Sequence, residues 1–119
     1  MKLCSTEFYE MQLHDTYAIL IILENQQFTL AKANQIRKEL VDFYGKKNFV
    51  LINYRKHPHY TSEEIYKQGQ LQNMKGLAIV SELKTGRDKA LIEQRLYDKS
   101  FTFFDNLDEA VSWAQNYFF

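Results

Sequence analysis

Four short apolar runs, each followed by a polar break and a stretch of helical periodicity, constrain this chain more than any other feature. Residues 17–23, 49–52, 77–80 and 101–104 are apolar almost without alternation. A strand covered on both faces reads this way. After the first run, Thr29 is placed to cap a helix carrying Leu30, Ala33, Ile36, Leu40 and Phe43, and Gly45 stands where its C-terminal cap belongs. After the second, Thr61 and Glu64 have capping-box spacing and open a short, mostly polar helix with Ile65, Tyr66 and Leu71 inward. After the third, Thr85 and Asp88 open a helix furnished by Ala90, Leu91, Ile92, Leu96 and Tyr97. After the fourth, Asn106 caps a helix with a stripe of Leu107, Ala110, Val111, Ala114 and Phe118. Tyr9, Met11 and Leu13 alternate with polar residues and predict a half-buried strand that pairs with residues 17–23 as a hairpin. The predicted order is β-β-α-β-α-β-α-β-α, an α/β fold with a mixed sheet and right-handed parallel crossovers.

A chain of 119 residues with no Pro/Gly-rich linker is one domain spanning residues 1–119. Fifteen basic residues balance fifteen acidic ones, which argues against a nucleic-acid partner. One cysteine, Cys4, excludes a disulfide framework and a multi-thiolate metal site; with Lys2 as its sole charged activator nearby in sequence, it is expected to be inert. The longest apolar run has seven residues, far short of the roughly twenty that cross a membrane, and no leader pattern opens the chain. The expectation is a cytoplasmic protein, not a transmembrane one.

Catalytic constellations are missing. There is no glycine-rich phosphate loop and no Gly-x-Ser-x-Gly elbow. The run 49–52 ends in Asn53-Tyr54-Arg55, without the aspartate of a phosphoacceptor. No enzyme activity and no cofactor are expected. His57 and His59, with His14, Glu63 or Glu64, fall short of a convergent metal-ligand set, so no metal is expected. Trp113 is expected to pack within its helix, while Phe119 is a candidate interface contact.

In a sheet of this order the C-terminal ends of the parallel strands share one edge, where ligands of open α/β sheets bind. That edge gathers residues 53–60 and 81–87 with Asp105 and Asn106, and it receives three helix N-termini. Arg55, Lys56, His57, His59, Lys84 and Arg87 would supply positive charge for an anion there, offset by Glu63, Glu64, Glu82 and Asp88.

From about Phe8 to Phe118, the element order resembles the STAS domain superfamily, whose SpoIIAA-like members are anti-sigma factor antagonists. The resemblance is carried by residues 17–23, 49–54 and 77–80, the Thr61-Ser62 helix start, and above all the tail Phe-Thr-Phe-Phe-Asp-Asn-Leu-Asp-Glu-Ala-Val-Ser-Trp-Ala at 101–114. This tail resembles a small SpoIIAA-like branch grouped with CRAL-TRIO lipid-binding folds, as does Arg87 near the start of the third helix. The resemblance implies a non-enzymatic regulatory module. It also implies a phosphorylated serine at the start of the second helix, a position that Ser62 matches by register. Thr61, Glu63 and Glu64 replace the rest of that motif, which argues against a working phospho-switch.

Two functional expectations follow. The first is a protein-interaction module using Tyr54, Arg55, His57, Tyr60, Ser62 and Tyr66 as contacts. The second is a domain binding a lipid or other amphipathic small molecule, its anionic head near Arg55 and Arg87 and the polar second helix serving as cover. The weak opening strand, expected at a sheet edge, also suggests a homodimer.

Overall fold

A computed structural model describes residues 1–24, 27–57, 61–82 and 84–119, the side chains of 84–87 and 89 excepted. The elements are β1 (Lys2–Ser5), β2 (Tyr9–Leu13), β3 (Tyr17–Ile22), α1 (Leu30–Tyr44), β4 (Phe49–Tyr54), α2 (Glu63–Lys67), β5 (Met74–Val80), α3 (Lys84–Gln94), β6 (Ser100–Phe104) and α4 (Leu107–Asn116). They form a six-stranded sheet in the order β1-β2-β3-β4-β5-β6. The first three strands pair antiparallel and the last four parallel.

Sequential parallel order explains the layering. Crossovers of one hand between consecutive neighbours put their helices on the same face. Leu20, Leu51, Leu77 and Ile79 accordingly meet Ile36 and Leu40 of α1, Tyr66 of α2 and Ala90 of α3. The opposite side chains of the same strands, among them Ile19, Val50, Ile52 and Ala78, meet Ala110 and Ala114 of α4. The central strands are apolar on both faces because both faces are covered. Gly76 on β5 lets α4 lie close: a Cβ there would stand 3.2 Å from Val50 and 3.3 Å from both Trp113 and Tyr117. Trp113 packs between Phe104 and Tyr117, within its helix as expected.

Three caps follow the sequence. Thr29 accepts from the Lys32 N–H, Asn106 accepts from the Glu109 N–H, and the Gly45 N–H donates to Val41 O at the end of α1. Several expectations need correction. The chain opens with β1, which pairs with β2, so the strand expected at the edge is internal. In α1 the inner stripe runs Ala33, Ile36, Leu40, Tyr44; Phe43 is exposed. Tyr44 stacks on Phe49 and its hydroxyl donates to His14 O. Thr85 lies inside α3, which starts at Lys84, rather than capping it. Leu91 and Ile92 are each 57% exposed, because successive helical residues about 100° apart cannot share one inner face with Ala90. Phe118 lies beyond α4 and is exposed, as is Phe119.

Among the described residues, no helix is long and apolar enough to cross a membrane.

Candidate functional site

Strand parity decides what gathers at the end of β4. Phe49, Leu51 and Asn53 alternate onto the face shared by α1, α2 and α3, and Arg55 continues the same alternation one residue past the strand. The Arg55 N–H donates to Val80 O at 2.8 Å, which holds its backbone against β5. Its guanidinium therefore enters the core. There it meets Glu93 of α3 in a two-pronged pair, Nη1 to Oε2 and Nη2 to Oε1, both 2.5 Å. The two side chains are 1% and 0% exposed. Tyr66 of α2 donates its hydroxyl to Glu93 Oε1 at 2.7 Å. Burial, reinforced by the Glu93 carboxylate, pushes the Tyr66 hydroxyl far above its usual value, so it stays a neutral donor. The triad ties β4, α2 and α3 together.

Beside the triad lies a cavity of about 80 Å³. Its floor is Leu20, Leu51 and Leu77 of the sheet; Ile36 and Leu40 form the α1 wall, and Ile65 covers it from α2. Half-buried Phe28, Arg37, Gln70 and Leu71 also line it. Two of its polar side chains hold an unpartnered atom. Asn53, 5% exposed, has no partner for Oδ1, and Thr61, 4% exposed, has none for Oγ1.

The cover over this cavity is short. α2 has five residues and begins one residue later than the capping-box pattern predicts. Ser62 is its N-cap and makes no side-chain capping bond, while Thr61 turns inward to the cavity. The helix is fastened from outside its own turns. Arg37 of α1 donates to Ile65 O and to Asn34 Oδ1, and Gln70 donates to Tyr66 O. Burial draws the Arg37 guanidinium below its ordinary value. Gly69 makes this approach feasible: its φ is +73°, and a Cβ there would stand 2.9 Å from Arg37 Nη1.

The residues expected to act at this edge are distributed unevenly. Arg55 and Tyr66 are buried and bonded to Glu93, so neither presents a surface to a partner. That placement also corrects the expectation of Arg55 as an anion's counter-charge, because Glu93 already neutralises it. Tyr54, His57 and Ser62 are half-buried, and Lys56 lies over the Tyr54 ring at 5.7 Å. Tyr60, His59 and the Arg87 side chain lie outside the described residues. His14, in the turn between β2 and β3, sits at the opposite end of the sheet from His57; it stacks on Tyr17 and does not join a metal set with it. Among the described residues, no three potential ligands converge for a metal. Burial and a contact to Glu39 raise the Cys4 thiol, which keeps it in the unreactive protonated form.

Glu93, Asn53 and Thr61 join the site beyond the contact residues that the sequence predicts. For Glu93 a signal existed: it stands three residues after buried Ala90 and four before buried Tyr97, on the inner side of the helical path. Asn53 is the one polar residue in the inward set Phe49, Leu51, Asn53.

Sheet order, helix faces and the closing α4 define a SpoIIAA-like architecture, the fold of STAS domains. A solved structure carries the same fold: an uncharacterised protein of the DUF3478 family with a SpoIIAA-like fold, from Shewanella loihica PV-4. It matches with a TM-score of 0.61 at 13% sequence identity, covering 93% of this chain and 98% of that one. At that identity the likeness is one of fold. No family model and no curated protein matches the chain.

Proposed function

We propose that this protein is a non-catalytic binding module that holds a small organic molecule between its sheet and the α1/α2 layer. One observation carries the reading: an apolar cavity whose only buried, unpartnered polar atoms among its described lining are Asn53 Oδ1 and Thr61 Oγ1. Ligand sites commonly combine an apolar lining with a few orienting polar groups, whereas a packed core satisfies its buried polar atoms. A volume of about 80 Å³ favours a compact molecule over a long acyl chain.

The protein-interaction reading loses Arg55 and Tyr66 as contacts and keeps Tyr54, His57 and Ser62. A phospho-switch at Ser62 would place the phosphate beside Glu63 and Glu64, against like charge.

The test is methyl NMR on the whole chain. Small organic probes are expected to shift the signals of Leu20, Leu51, Leu77 and Ile36, and Leu77→Phe, which fills the floor, should abolish the shifts. Lining methyls that stay unmoved through neutral, anionic and hydrocarbon probes alike would overturn the reading.

A further inference from the structure

Resting on the cavity reading above, we infer that the site selects a molecule with a compact apolar body and one hydroxyl group. Two observations converge. The first is the pair of unpartnered polar atoms in the lining. Asn53 Oδ1 accepts hydrogen bonds, and the Thr61 hydroxyl donates or accepts. A hydroxyl on the ligand is a neutral group that can satisfy either. The second is that the other polar side chains of the described lining already have partners. The Tyr66 hydroxyl is spent on Glu93, the Tyr97 hydroxyl on Met74 O, and Gln70 donates to Tyr66 O. Arg37 donates to Asn34 Oδ1 and Ile65 O, both neutral acceptors, so it keeps its charge at the lining. Asn53 and Thr61 are left to orient the ligand, and the apolar walls take its body.

The sign of a preference tests this. Phenol and toluene have nearly the same shape. In an apolar cavity toluene binds more tightly, because phenol must shed its water. In a cavity with waiting hydrogen-bond partners the order reverses, since the hydrocarbon leaves Asn53 and Thr61 unpaired. The experiment titrates the full-length protein at neutral pH with phenol, toluene and benzoate, followed by the methyl signals of Leu20, Leu51 and Leu77. Phenol is expected to bind about tenfold or more tightly than toluene, and at least as tightly as benzoate. The near-isosteric variants Asn53→Leu and Thr61→Val remove the polar atoms while keeping the lining filled. Either should lose the phenol preference and retain toluene; using both keeps the test available if one variant fails to fold. Toluene binding as tightly as phenol in the wild type would overturn the hydroxyl inference while leaving the cavity as a site, with buried water then serving Asn53. Benzoate binding most tightly would overturn the hydroxyl inference in favour of an anion facing Arg37. No binding by any probe would overturn the cavity reading itself.

Discussion

Replacing Glu93 with glutamine is the most informative single perturbation of this fold. The substitution keeps shape and volume but removes the charge that two guanidinium nitrogens face at 2.5 Å. The Arg55 side chain is 1% exposed, so water cannot take over as counter-dipole without opening the core. Removing one partner of such a pair typically costs about 3–5 kcal/mol, because the other charge stays buried and uncompensated. A domain of this size unfolds with roughly 5–15 kcal/mol, so a large share of the total is at stake. With about 4 °C per kcal/mol near 120 residues, the melting temperature should fall by about 12–20 °C. Urea unfolding followed by circular dichroism measures the loss. A second variant separates charge burial from simple damage. Arg55→Met, Glu93→Leu and Tyr66→Phe together remove both charges and the hydroxyl that depends on them. That triple variant should lie within about 2 kcal/mol of wild type on either side, since a buried pair roughly balances its own desolvation. A Glu93→Gln loss below about 0.5 kcal/mol would refute the reasoning. So would a triple variant as damaged as the single one.

Two further outcomes follow from the packing. Gly76→Ala should destabilise by about 1–3 kcal/mol and alter Trp113 fluorescence, since the added methyl stands 3.2–3.3 Å from Val50, Trp113 and Tyr117 and must push α4 outward; an unchanged emission spectrum and urea midpoint would show that α4 gives way freely. Alkaline pH should unfold the protein cooperatively: burial raises the hydroxyls of Tyr44, Tyr66 and Tyr97 above the ordinary value of 10.0, so their contribution is full below that pH and is lost as pH rises, because the unfolded chain ionises first. Tyrosinate absorbance and circular dichroism should therefore change together above about pH 10, and tyrosinate forming in a still-folded protein would contradict the burial argument.

Much of the fold is legible in local pattern because its strands and most of its helices obey one rule each. The runs at 49–52 and 77–80 lack alternation because α4 covers one face and the crossover helices the other. Thr29 and Asn106 sit at helix starts and bond as their types suggest. The misses share a different cause. β1 is four residues, mostly exposed, and only Cys4 turns inward, so no period exists to read. Thr61 resembled a helix cap because local spacing allowed it; the cavity beneath α2 draws it inward instead, a tertiary effect outside local pattern. The apolar letters Leu91 and Ile92 outweighed Glu93 in a composition-weighted reading, although helical geometry places the carboxylate inside. Arg55 looked like surface charge because its partner lies 38 residues away on another element.

The placement of the ion pair bears on how the cavity keeps its shape. α2 is too short to hold itself: isolated helices below about 12 residues are marginal in water, and this one has five. Its position is set by side chains from outside it: Arg37 of α1, Gln70 just beyond its end, and Glu93 of α3, itself held by Arg55 at the end of β4. An apolar contact in place of the triad would fill space, but it would fix neither the direction of Tyr66 nor the height of α2 above the sheet. Hydrogen bonds do both, because they are directional. The triad, close to neutral in net stability, thus gives the cavity a defined cover, a feature that a core built only for stability would gain little from keeping.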